Sequence, residues 1–400
     1  MKKRLIAVIL AIMITPSMTV AGVKMNIGDE VEIDLGFRLQ TQFISWDNED
    51  GTTGESEQLF NVRRARIRLG GKVTRWMDFF LQTDKGGGAG GSGYDMRIID
   101  AFVTLNLHPL AKIYMGENMA PAGRQHTTSS GALMAIDRPG ITNYNLTWGL
   151  NGRFGFNNAN LPDGDLALSN DVSVRDTGAT LFGATSLSET LHFKYYLGVY
   201  DGIQASGEDK ERYTARVQMN LFDAEPGYYN SSTYLGEKRT VGLGISYDTQ
   251  DDIATDAVQG ATGYSWYSID AFADLPMGPG SATLEAAYSN LDLDDATQLD
   301  TGLIATQNAL RTQGDGWYAQ AGYYFENLKL QPWLAYETWA TDAAGDVGGY
   351  DGWRVGLTYF FQGHNANIKA GYESINTDAN IAGSNQDSID TFLVGFYITY

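Results

Sequence analysis

The sequence predicts an all-β chain that closes into a transmembrane antiparallel β-barrel of about sixteen strands, preceded by a cleaved signal peptide. Three observations predict it. The chain starts with an export leader. No later stretch approaches the ~18 consecutive apolar residues that a membrane-spanning helix needs. Period-two alternation of apolar and polar residues recurs from Val31 to Tyr400.

The leader comes first. Lys2, Lys3 and Arg4 give a positive start, Leu5 to Ile14 a short apolar run, and Thr19-Val20-Ala21 the small residues that a signal peptidase needs. That run is too short to span a bilayer, so residues 1–21 read as a signal peptide and not as a buried helix. Residues 22–400 then form one barrel domain. An exported chain without apolar helices can cross lipid only as a closed barrel, because lipid offers no partner to an unpaired backbone group.

Composition narrows the classes. Of 400 residues, 43% are apolar, 47 are Gly and 23 are Tyr, and Cys is absent. Without Cys there are no disulfides, cysteine-ligated metals or thioether-attached haems. The formal charge of −20 argues against a nucleic-acid partner, which would be recognised by Lys and Arg at its phosphates. Acidic clusters at Asp47 to Glu57, Asp248 to Asp256, Asp292 to Asp300 and Asp342 to Asp351 read as solvated loops.

The strands follow in order. From Val31 the odd positions are Val31, Ile33, Leu35, Phe37, Leu39, Thr41 and Phe43, and the even ones Glu32, Asp34, Gly36, Arg38, Gln40 and Gln42. Such a strand is greasy on one side and hydrophilic on the other. Ala65, Ile67 and Leu69 alternate with Arg64, Arg66 and Arg68. Leu191 to Val199 and Tyr213 to Leu221 repeat the pattern, as do Val241 to Tyr247, Trp317 to Phe325, Trp353 to Phe361 and Phe392 to Tyr400. Short connections (His108-Pro109-Leu110, Pro276 to Gly280, Glu326-Asn327, Gln362-Gly363-His364) exchange with long polar ones such as Lys85 to Tyr94. That asymmetry matches periplasmic turns and extracellular loops. Trp46, Trp148, Trp317, Trp333, Trp339 and Trp353 fall near presumed strand ends, where interface girdles place aromatic rings. A soluble all-β sandwich would alternate too, with less aromatic enrichment there.

Residues 60 to 140 resemble the phosphate-selective porin O and P family. Phe60-Asn61-Val62-Arg63-Arg64-Ala65-Arg66-Ile67-Arg68-Leu69-Gly70-Gly71-Lys72 is similar to its Arg-rich second strand, followed by Trp76 to Gln82. Ile99-Asp100-Ala101-Phe102-Val103 and Gly116 to Arg124 resemble later family segments. The resemblance implies a sixteen-stranded trimeric porin in a Gram-negative outer membrane, whose inward arginines draw anions such as phosphate through the pore.

The residues support part of that. Charges facing lipid cost a few kcal/mol each near the midplane, so Arg64, Arg66 and Arg68 belong to the lumen. By the same alternation Arg38, Lys72, Lys194, Arg216 and Arg354 line it, while Arg124 and Arg138 flank a segment placed to fold inward. Guanidiniums in line can pass a phosphate or carboxylate by bidentate hydrogen bonds. The later strands hold only scattered bases, however, and Glu32, Asp34, Asp78, Asp100 and Glu373 can pair with the arginines. Two readings therefore stay open: a selective anion track, and a weakly selective pore for small hydrophilic solutes.

Rival functions are a rim hydrolase, for which His126 is the one candidate, and a barrel sheathing a partner such as a multihaem cytochrome. Asp292-Leu293-Asp294-Asp295 lacks the Gly and distal Glu of a calcium loop. The Gly-rich Lys85 to Gly93 lacks a following Lys-Ser/Thr, so no nucleotide site is expected. No cofactor or resident metal is expected. The expected surroundings are outer-membrane lipid and lipopolysaccharide.

Overall fold

Alternation at period two puts every second side chain on one face of a strand, and the backbone groups between them need partners on both edges. A computed structural model shows how this chain supplies them. It describes residues 23–27, 31–46, 57–85, 96–139, 175–202, 210–256, 260–294, 313–342, 349–377 and 388–400. The expected leader, Trp148 and the Gly-rich Lys85 to Gly93 segment beyond Lys85 lie outside these residues.

The first strands are β1 (Val23–Ile27), β2 (Val31–Trp46), β3 (Glu57–Thr74), β4 (Met77–Lys85), β5 (Met96–His108) and β6 (Ala111–Met119). Next come β7 (Arg175–Ser186), β8 (Leu191–Tyr200), β9 (Arg212–Phe222), β10 (Thr240–Asp256), β11 (Gly260–Met277) and β12 (Gly280–Asp292). The last are β13 (Gly314–Phe325), β14 (Leu330–Thr341), β15 (Tyr350–Gln362), β16 (Ala366–Thr377) and β17 (Ser388–Thr399). Each strand from β2 onward pairs antiparallel with its sequence neighbour, and β17 pairs with β2, which closes sixteen strands into a barrel. A barrel of this size has room for an aqueous lumen.

The seam is backbone against backbone. Phe37 N–H donates to Tyr400 O at 2.6 Å and Tyr400 N–H to Phe37 O at 2.8 Å. Gly36 is needed there, because a Cβ would sit 2.2 Å from Tyr400 O. The short β1 folds back on the first residues of β2, with Lys24 Nζ 3.0 Å from Glu32.

The faces follow the alternation. On β9 the outward Tyr213, Val217, Met219 and Leu221 are exposed, while the inward Arg212, Thr214, Arg216, Gln218 and Asn220 are buried. β8 repeats this with Leu197 and Val199 out, and Lys194 and Tyr196 in. One bulge matters. Gln40 pairs with Arg64 and Thr41 with Val62, so Arg63 is an extra residue, and its side chain reaches the lumen as Arg64 does.

Two expectations are corrected. Asp248 to Asp256 is not a loop: β10 runs through it, and Asp248 points inward, fully buried against Arg212. An acid with a buried guanidinium opposite can sit in a wall that composition alone assigns to solvent. The aromatic girdle also fails at two of its members. Trp317 and Trp353 face outward, but Trp333 and Trp339 sit on the inward phase of β14 and are buried in the lumen.

Ile269 lies midway along β11 and faces outward, 52% exposed. Ile269→Arg should cost about 2–4 kcal/mol in a bilayer, whereas a polar exchange at the inward neighbour Ser268 should cost far less. Reversible unfolding in lipid vesicles measures both.

Candidate functional site

At one barrel end the connections are short: 75–76, 109–110, 187–190, 278–279, 326–329 and 363–365. The exception at that end is 223–239, between β9 and β10. At the other end the long connection after β6 begins with 120–139. Both segments run inside the barrel.

They are hydrogen-bonded to each other. Thr128 and Asn230 form a parallel bridge, with Ser129 N–H donating to Asn230 O at 3.0 Å and Asn230 N–H to Thr127 O at 2.9 Å. Ser232 N–H donates to Ala132 O at 3.0 Å. Between the segments Arg124 makes a bidentate pair with Glu225, at 3.0 and 2.8 Å, and lies 3.6 Å over the Phe272 ring. Burial works against an ionised Glu225, but Arg124 and then Lys194 hold its carboxyl well below the usual range.

The walls grip this double segment. Lys369 donates to the carbonyls of Leu133, Met134 and Ala135, and Lys194 to Asn230 Oδ1 at 2.6 Å. Arg63 and Arg64 both reach Asp137 at 2.9 Å. Arg38 and Arg66 share Ser130 Oγ, at 2.6 and 3.0 Å. Met134 and Ile136 pack with Trp333, Ile44 and Leu393, in sockets where Gly322 and Gly371 have no Cβ. The 223–239 segment reaches across the mouth: Tyr234 N–H donates to Asp274 on β11, and His364, in the turn after β15, meets Thr233 O at 2.9 Å.

Each expected site residue can now be placed. Arg64, Arg66, Arg68, Arg38, Lys194, Arg216 and Arg354 face the lumen as the alternation requires, and Lys72 lies exposed towards the end of β3. Arg124 and Arg138 do flank an inward segment. Arg138 braces that segment itself, its guanidinium donating to the carbonyls of Gln125 and Thr128.

Arg64 and Arg124 have acidic partners, as given above, and three more of these bases do too. Arg66 pairs with Asp84, Arg216 with Asp270, and Arg354 with Glu337 and Glu373. Sequence reading had Asp100 as an inward acid but missed its partner Arg175, and missed Asp137, Glu225, Lys369 and the whole 223–239 segment. The missed signal was length, since 223–239 is too long for a turn at the short-turn end.

The pairing is uneven around the ring. Among the described residues, no carboxylate lies within ion-pair distance of Arg38, Arg68, Lys194 or Lys369. Arg38 and Arg68 share the β2–β3 wall with Arg63, Arg64 and Arg66. Half a circuit away, Asp274 on β11 and Glu285 on β12 accept from hydroxyls, amides and a backbone N–H rather than from bases. Among the described residues, Arg38 and Arg68 on one wall thus lack a carboxylate partner, and Asp274 and Glu285 on the facing wall lack a basic one.

His126, the hydrolase candidate, is not at a rim. It is buried mid-lumen, edge-on to Trp266, and neither ring nitrogen has a hydrogen-bond partner among the described residues. Burial first, then Arg212, Arg138 and Arg216, lower its pKa to about 3. At Asp292-Leu293-Asp294 the acids serve a turn: Asp294 accepts from Gly263 N–H at 2.6 Å, and Asp292 accepts from Asp294 N–H at 2.8 Å.

The phosphate-selective porin O and P family matches residues 33–396 of this chain. The chain belongs to that family. It is a porin of the Gram-negative outer membrane. An uncharacterized protein of Aquifex aeolicus is 24% identical over 92% of this chain and 87% of its own length. Among solved structures, OmpF of Salmonella typhi in complex with daunomycin superposes with a TM-score of 0.58 at 16% identity, covering 94% of this porin and 100% of that chain. The outer-membrane protein OmpT of Vibrio cholerae, in a trimer form, gives 0.53 at 12% identity, covering 93% and 100%.

Two outcomes are expected. Glu225→Ala strands Arg124 without its partner and should cost about 3–5 kcal/mol, read as a lower denaturant midpoint, with noisier single-channel currents as the double segment loosens. Acidification should also weaken the porin. Below pH 6.5 an unfolded His126 binds a proton that the folded one refuses until about 3. Stability should therefore fall as pH drops from 6.5 to 5, by up to about tenfold in the folding constant per unit. His126→Leu should flatten that slope, as midpoints at several pH values will show.

Proposed function

We propose that this porin passes small hydrophilic solutes by passive diffusion with a modest preference for anions, and that it works as a homotrimer surrounded by lipopolysaccharide. The observation that carries the preference is the set of inward cations without carboxylate partners among the described residues: Arg38, Arg68, Lys194 and Lys369. A permeating anion meets positive charge there that no acid on the wall offsets. Arg38, Lys194 and Lys369 also hold the inward segments, but through neutral acceptors that leave their charge unoffset. The remaining bases named for the pore, Arg64, Arg66, Arg124, Arg138, Arg216 and Arg354, act as a frame for the constriction. Lys72 adds charge near the mouth. This favours a weakly anion-preferring pore over a ladder of exchangeable guanidiniums for phosphate. The trimer rests on the likeness to a barrel solved in a trimer form.

A transverse field from the β2–β3 wall to Asp274 and Glu285 orients polar solutes as they pass the constriction. No partner needs to fill the lumen, since 120–139 and 223–239 occupy it.

Planar-bilayer recordings across a salt gradient should give an anion-sided reversal potential, with weak phosphate block only. Arg38→Ala/Arg68→Ala should lower the anion-to-cation permeability ratio roughly five- to thirtyfold, as expected for the loss of two charges each worth about 0.5–1 kcal/mol in a hydrated pore. A cation-sided reversal in the wild type would sink the reading. Tight phosphate saturation would restore the selective track.

A further inference from the structure

Five neighbouring strands, β4 to β8, each place an aromatic ring on the inward face, in a row: Phe80, Phe102, Tyr114, Phe182 and Tyr196. Ring centroids are 5.5 Å apart from Phe80 to Phe102 and from Phe102 to Tyr114, then 6.1 Å to Phe182 and 4.8 Å to Tyr196. One end of the row is shut. Tyr228, from the 223–239 segment, covers Tyr114 at 4.4 Å and also packs on Phe182 and Tyr196. The other end, Phe80 beside Phe102, carries no such cover among the described residues.

Arg68 stands at that uncovered end, its guanidinium carbon 5.8 Å from the Phe80 centroid. Its Nε is buried and has no hydrogen-bond partner, and no carboxylate is within ion-pair distance among the described residues. Gly70, the cross-strand partner of Phe80, has no side chain, and a Cβ built there would meet only the edge of Phe80 at 3.4 Å and Phe79 O at 3.8 Å. Rings laid over glycines on adjacent strands account for Phe80 at Gly70. They do not account for a guanidinium left without an acceptor over the open end.

We propose that Arg68, Phe80 and Phe102 form a lumenal subsite for aromatic carboxylates. The carboxylate takes the fork of Arg68 and the ring packs against Phe80 and Phe102. Aliphatic anions gain only the first contact and neutral aromatics only the second. The subsite rests on the anion preference proposed above and gives it a solute class.

The test is block of single-channel current in the full-length porin by benzoate, acetate and benzyl alcohol. Benzoate should half-block at a concentration roughly fivefold below acetate, as an aromatic contact worth about 1 kcal/mol requires. Phe80→Leu/Phe102→Leu should bring benzoate to the acetate level and leave acetate unchanged. Arg68→Gln should weaken both anions. Gly70→Leu, whose side chain would press on the edge of Phe80 and displace its ring, should also abolish the benzoate advantage, and gives a second variant should the double leucine fail to fold.

Equal block by benzoate and acetate in the wild type would overturn the subsite, as would an advantage that survives Gly70→Leu or the double leucine variant. Benzyl alcohol blocking as well as benzoate would remove Arg68 from it. The benzoate-to-acetate ratio reads the rings alone, and the reversal potential reads anion preference alone, so either can fail without the other.

Discussion

The structure depends on the backbone having no partner in lipid. Each N–H and C=O that crosses the hydrocarbon must be bonded within the chain, and for strands that demands a ladder with no free edge. The pairing of β17 with β2 meets this demand, down to the two bonds between Phe37 and Tyr400. Closure then turns the sequence period into chemistry, because every residue faces either lipid or lumen. Apolar side chains on one phase satisfy the bilayer, and the other phase receives the charges.

Crowding so many arginines inward creates a second problem. A buried guanidinium without compensation is costly, and a buried pair gains stability only when its hydrogen bonds are nearly complete. This porin solves it in two ways. Some pairs lie along the wall, such as Arg212 with Asp248 and Arg216 with Asp270. Others connect the wall to chain brought in from both ends, as Asp137, Ser130 and the carbonyls of 133–135 are. The inward segments therefore do two jobs. They narrow the lumen, and they supply acceptors to cations that the strands could not satisfy alone.

The same arrangement limits what the arginines can do. A guanidinium bonded to a carboxylate cannot exchange that partner for a passing solute without a matching loss. Only cations held by neutral acceptors, or by none, still carry an unoffset charge. Arg38 and Arg68 belong to this group on one wall, and Asp274 and Glu285 are their acidic counterparts across the lumen. In the proposed function, the arrangement of these groups across the barrel matters more than the count of bases.

The sequence by itself determined the barrel, its approximate strand number, the inward phase of its clearly alternating strands and that the family is one of porins. Period two and the cost of charge in lipid are local rules that any single strand obeys. It also gave Arg124 and Arg138 as flanks of an inward segment. Only the tertiary structure decided who pairs with whom. Asp248 read as loop acid until Arg212 lay opposite it. Trp333 and Trp339 read as girdle rings until strand phase turned them inward. The segment 223–239 carried no motif, and its place is set by contacts with strands far away in the sequence, up to His364. Those contacts depend on ring closure, which brings remote residues within hydrogen-bond distance and which no local pattern encodes.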